Sequence, residues 1–235
     1  MGLFDYFTKE GRLRRHVRRM ADRDTPPEDR EASAQWLAGD GSPEAILGLL
    51  SRYDMSLSQQ LKDRNEKDAT LGLLIGLGDD VIEPARTWLR RCKQIAYPLR
   101  LIIELAGEEV AVDAVYERLE IERERGGFSP EIKVDLLVWL ADHPHSRAIE
   151  VASPFLQDFD EGVRYAAAEV LIAQKDDGAR PLLLAALSKP EEDSNRLKHR
   201  LCEVFRLRDW SVDGAELTDR LPADFALSGS RIVTR

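Results

Sequence analysis

The sequence predicts an all-α protein built from five to six antiparallel helix pairs. Three observations carry that expectation. Aromatic residues make up only 7% of the chain while Leu and Ala abound, a balance that favours helix over sheet. In the stretch DFDEGVRYAAAEVL (158–171), Val163, Ala166, Ala167, Val170 and Leu171 fall at i, i+3, i+4, i+7 and i+8, one face of a helix. A turn followed by a short apolar segment returns six times and ends on Leu50, Leu89, Leu119, Leu156, Leu187 and Leu221, at separations of 39, 30, 37, 31 and 34 residues. A ragged period of roughly 30–40 residues marks repeated helix pairs.

The first element, residues 1–24, reads as a basic amphipathic helix. Leu13, Val17 and Met20 lie at i, i+4 and i+7, Arg12, Arg14, Arg15, Arg18 and Arg19 surround them, and Leu3, Phe4 and Phe7 form an apolar head. This segment holds seven Lys/Arg against four acids, a net +3, so the remaining residues carry −12 of the total −9. The expected role is a cap over the open edge of the first pair, which end repeats need. The alternative is a contact to an acidic partner, a nucleic acid or a membrane surface.

Residues 25–225 form the repeat region. Its first helices are expected near 26–38, 56–77, 97–106, 130–141, 160–174 and 194–207, several announced by prolines (Pro26-Pro27, Pro98, Pro130) at or just before the start. The second helices end on the leucines named above. Asp160 is the expected N-cap of the fifth first helix, Asp177-Gly178 a turn, and Pro181 a residue of the first turn of the helix after it. Pro154 lies inside an expected helix over 146–156, which should kink or stop early. ERERGGF (122–128) reads as a hinge. No segment before 225 has a period of two, and residues 226–235 form a C-terminal tail, extended or disordered.

DEGVRYAAAEVL (160–171), with the turn QKDDGA and the helix RPLLLAAL after it, resembles the HEAT-repeat family; residues 28–50 are a second copy, and 56–122 and 194–221 match by period and polarity. The resemblance implies an α-solenoid, with first helices on the convex side and second helices on the concave side. It also implies a ladder between repeats made by an Asp and an Arg near the turn, for which Asp160 and Arg164 are the candidates. Enzymes of the same repeat family include lyase-like and DNA base-repair types.

The residues argue against most chemistry. No phosphate-binding loop, nucleophile elbow or dinucleotide fingerprint is present. His143-Pro144-His145 has no acidic or thiol neighbour at metal spacing and reads as a solvated turn. Cys92 and Cys202 lie far apart among apolar neighbours, as buried reduced thiols do. The acidic balance disfavours nucleic acid. Trp36, Trp88 and Trp139 sit on apolar faces as core residues, and Trp210 is left open between core and surface. No cofactor or metal is expected, and no apolar run is long enough for a bilayer.

The expectation is therefore a cytoplasmic, non-enzymatic scaffold that binds a protein or peptide on a concave face. Arg86, Arg90, Glu117, Arg147, Glu150 and Arg180 are the candidate contacts, since their alternating charge suits a polypeptide better than a polyanion. Two alternatives stand beside it: an enzyme on the same scaffold, and recruitment to a membrane or polyanion through the N-terminal helix.

Overall fold

A computed structural model describes residues 8–125, 129–212, 217 and 220–235. The protein is all-α but for one small hairpin, and it divides into two compact units, 1–118 and 119–235.

The first unit contains α1 (Lys9–Ala21), α2 (Pro27–Asp40), α3 (Pro43–Leu50), α4 (Gln60–Gly76), α5 (Ile82–Leu89), α6 (Ala96–Ala106) and the greater part of α7 (Glu108–Glu124). Sequence chemistry sets the ends. Thr8 Oγ1 accepts from Gly11 N at 3.0 Å to start α1, and Ser42 Oγ accepts from Ala45 N at 3.3 Å to start α3, satisfying amide groups that have no partner inside the helix. Between α2 and α3 the backbone turns through Gly41 at φ +63°, a left-handed conformation that favours glycine. α1 packs on α2 and α3, α2 packs on α3 and α4, α3 on α5, and α4 on α6. Leu37, Leu49, Leu50, Leu74, Leu89 and Leu101 lie fully buried among these helices.

The second unit contains the end of α7, then α8 (Pro130–Ala141), α9 (Ala148–Ala152), α10 (Glu161–Ala173), α11 (Arg180–Ser188), α12 (Asn195–Leu207) and the strands β1 (Phe225–Ser228) and β2 (Arg231–Thr234). α10 packs on α8, α9 and α12. Its Ala166, Ala167, Ala168, Val170 and Leu171 are buried, and its N-cap is Asp160, whose carboxylate accepts from Val163 N. α9 ends at Ala152 and the chain continues through Pro154 as a 3₁₀ turn, Ser153–Gln157, because proline supplies no amide for the α-helical bond.

The predicted first helices match α2, α4, α6, α8, α10 and α12 to within a few residues. Of the six marker leucines, Leu50, Leu89, Leu119, Leu156 and Leu187 are buried. The sixth repeat differs. After α12 the chain turns at Asp209 (φ +50°), and residues 213–216 and 218–219 of the expected last helix lie outside the described residues. Residues 126–128 of the expected hinge and the apolar head at 3–7 lie outside them too. The last residues form an antiparallel hairpin with Leu227 opposite Ile232. Gly229 (φ +60°) takes the first loop position, where a tight hairpin needs left-handed backbone. Phe225 and Ile232 are buried, β2 packs on α12, and the His199 ring meets Phe225 edge-on at 5.0 Å. Trp210 is buried, donating from Nε1 to Asp177 Oδ1 at 2.9 Å.

Candidate functional site

The six expected concave-face residues fall into separate groups. In the first unit, Arg86 of α5 and Arg90 at the C-cap of that helix both bind Glu117 of α7. Arg90 Nη2 donates to Glu117 Oε2 at 3.0 Å, and Arg86 Nη2 donates to Oε1. Three expected partner contacts thus satisfy one another. In the second unit, Arg147 and Glu150 are exposed at the start of α9. Arg180 donates from Nη2 to the Ser211 carbonyl at 2.9 Å, tying α11 to the chain after α12.

The N-terminal helix is distributed differently. Met20 is 1% exposed, so α1 is anchored in the first unit's core. Arg19 reaches Asp29 at 3.7 Å, Arg15 is half-buried, and Arg12, Arg14 and Arg18 are exposed with no ion pair among the described residues. Leu13 and Val17 share the face of Met20 yet stay only half-buried. They open onto a groove of about 1030 Å³ in the first unit.

One wall of this groove is the stripe Lys9, Glu10, Leu13, Arg14, Val17 and Arg18 of α1. The other is Glu44, Leu47, Gly48 and Ser51 of α3 and the turn after it, closed by Asp54, Trp88 and Arg91. α1 and α3 approach most tightly at Gly48, where a Cβ would stand 2.6 Å from Val17 Cγ2. That approach forms the base of the groove.

Charge is unevenly placed along it. At one end Lys9 pairs with Asp40 at 2.8 Å; the hydrogen bond from Lys9 holds the Asp40 carboxyl below its usual range, and Asp40 raises the lysine in turn. Glu10 and Glu44 share this end. At the other end, Lys93 N donates to Asp54 Oδ1 at 3.0 Å, which sets the end of α5, with Trp88 and Arg91, beside the turn that follows α3. The Arg91 guanidinium lies 4.9 Å from the Trp88 ring centre.

Sequence reasoning selected Arg14 and Arg18, left Arg91 and Leu47 unmarked, and assigned Trp88 to the core. Trp88 is indeed 9% exposed, yet its remaining surface lines the groove. One signal for the site was available. Gly48 stands inside the apolar run AILGLL, where a helix loses roughly 1 kcal/mol relative to alanine, so a close approach by a neighbour is the physical reason to have it there.

A second cavity, of about 440 Å³, lies between α2 and α4. Every guanidinium nitrogen of Arg30 and Arg52 at its base already donates to Glu66, Asp63 or a carbonyl. Among the described residues no three His, Cys, Asp or Glu side chains stand together as a metal site would require. The His143 ring stacks on Trp139 at 3.7 Å and its Nδ1 lies 2.6 Å from the Trp139 carbonyl. Both cysteines are buried, and burial pushes each thiol up to about 12, which removes them as nucleophiles. No described helix is long and apolar enough to cross a membrane. Compared with known proteins, the chain matches no family model, no curated protein and no solved structure.

Proposed function

We propose that the protein is a non-enzymatic binding scaffold that holds a segment of a partner protein in the groove between α1 and α3. One observation carries the reading: an open groove with half-buried apolar walls (Leu13, Val17, Leu47) is flanked by arginines that have no anionic partner among the described residues. A groove of that make-up matches how polypeptide segments are recognised, by apolar anchors within a polar rim. On this reading α1 does two things. It caps the first pair through Met20, and it supplies one wall of the site.

The wider architecture belongs to the same proposal. In each unit a buried cation near the start of a first helix is tied to an acid further along the chain, as Arg30 is to Glu66 and Arg164 to Glu192. This recurrence supports a HEAT-like α-solenoid, and a cytoplasmic setting is part of the same proposal. The Arg86–Arg90–Glu117 cluster then serves to join α5 to α7, and partner contact falls to the groove.

The test is capture of partners from the native lysate with the intact chain and with Leu13→Asp. Loss of a specific captured protein by a variant that melts like the parent supports the reading. Identical capture by both would remove the groove as the binding site.

A further inference from the structure

Resting on the groove reading above, we infer that the occupant is an amphipathic α-helix of a partner protein, lying parallel to α1, with its acidic residues in its last two turns. The groove's dimensions are the first argument. The α1 stripe from Lys9 to Arg18 spans nine residue steps, roughly 13–14 Å of helix. A volume of about 1030 Å³ beside that stripe is room for roughly two to three turns of an α-helix, ~10–12 Å across with its side chains.

The walls supply the second argument. Leu13 and Val17 on α1, and Leu47 on α3 with Ser51 at its C-cap, recur at four-residue spacing. Such rows present ridges into which a third helix fits its own i, i+4 rows.

Polarity is the third argument and it fixes direction. Glu10 and Glu44 lie at one end, where Lys9 is taken up by Asp40, and Arg18 and Arg91 at the other, where Asp54 accepts from the Lys93 amide, with Arg14 between. A helix carries partial positive charge at its N-terminus and negative at its C-terminus. Its N-terminus is therefore favoured beside Glu10 and Glu44, and its C-terminus, with any acidic side chains there, beside Arg18 and Arg91.

Two 14-residue fluorescent peptides of identical composition test this against the full-length protein. Both carry leucines at i, i+3, i+4 and i+7; one has its glutamates in the last two turns, the other in the first two. The second is the better isolated helix, because acids favour a helix N-terminus, so preference for the first cannot come from helicity. The expected result is binding of the first about tenfold tighter at low salt, with the difference shrinking at high salt and disappearing in Arg18→Glu/Arg91→Glu.

Equal binding of the two orders, preference for the second, or a preference that survives in the double variant overturns the inference. If both orders bind equally and Leu13→Asp abolishes binding, the groove reading stands and the polarity is wrong. If neither peptide binds, the helix is wrong; the groove reading then falls as well only when Leu13→Asp also leaves lysate capture unchanged. A tenfold gain in affinity for both peptides on removing residues 1–7 would give the groove to the chain's own first residues and overturn the external occupant.

Discussion

The guanidinium of Arg164 meets the carboxylate of Glu192 in a bidentate pair, Nε to Oε2 and Nη2 to Oε1 both at 2.9 Å, with both residues buried. Arg164 Nη1 also donates to the carbonyls of Asp158 and Phe159 at 3.0 Å. Arg164 is the fourth residue of its helix. Lys133, the fourth of α8, donates to Asp158 Oδ2 at 2.7 Å, and Arg30, the fourth of α2, is bidentate to Glu66. In place of the expected Asp160–Arg164 pair, Asp160 spends its carboxylate on the helix cap and Glu192 takes Arg164. Because the pair is buried, the ~0–1 kcal/mol of exposed pairs does not describe it. Glu192→Ala leaves the buried Arg164 with only the exposed Asp193 carboxylate, 3.1 Å from Nη2, and is expected to cost about 3 kcal/mol. Arg164→Met with Glu192→Leu is expected to cost less than the single change, since no charge is left stranded. Urea unfolding of the three proteins measures both.

The first unit should be acid-sensitive. Burial alone would raise the Asp63 carboxyl, but hydrogen bonds from Lys67, Arg52 and Leu57 N outweigh it and hold its pKa low. Glu66 is likewise lowered against its burial by Arg30 and Arg52. Carboxylates with depressed folded-state pKa values contribute stability that is fully present above their unfolded values, about 4, and is lost as pH falls through the folded ones. Stability is therefore expected to hold from neutrality to about pH 5 and to fall below about pH 4. Glu66→Gln should flatten that fall while lowering stability at pH 7. Thermal melts across pH 2–7 give the comparison.

Ala167 has no exposed surface in α10. Enlarging it to leucine is expected to destabilise the second unit by about 1–3 kcal/mol through overpacking. An unchanged melting temperature would place that face against solvent.

Much of this was legible in the sequence because the features are local. Proline and Asp160 starts, the period of apolar residues and the marker leucines depend on neighbours a few positions away. The hairpin was legible as well and was passed over: Gly229-Ser230 between FALS and RIVT is a two-residue turn signal, masked by strands of only four residues. What the sequence could not supply was pairing at long range. Nothing local says that Glu117 will neutralise Arg86 and Arg90, or that Arg14 and Arg18 will find no anion among the described residues, because such pairing is decided by acids that lie some 30 residues away in the chain.

Gly48 offers a test of how tightly α1 and α3 meet. Alanine at a helix interior normally gains about 1 kcal/mol over glycine. Here the added Cβ would stand 2.6 Å from Val17 Cγ2, and Leu37 Cδ1 is 3.3 Å away, so the Val17 side chain or the helix that carries it must shift. Gly48→Ala is therefore expected to destabilise by about 1–3 kcal/mol. Val17→Ala should recover most of that loss in the double variant, and the coupling between the two changes is read from a double-mutant cycle of unfolding free energies.

The two roles given to α1 separate within the helix itself. Met20 lies beside Pro27, Arg30 and Ala34 of α2 and is 1% exposed, so Met20→Ala removes buried apolar volume and is expected to cost about 2–5 kcal/mol. Arg14 and Arg18 are exposed and make no ion pair among the described residues; Arg14→Glu with Arg18→Glu is expected to change stability by no more than about 0.5 kcal/mol per site while weakening an acidic occupant of the groove. If α1 were only a docking arm, Met20→Ala would leave the melt unchanged. If it were only a cap, the double reversal would leave partner capture unchanged. Calorimetric melts and capture assays on the same two variants decide each role on its own.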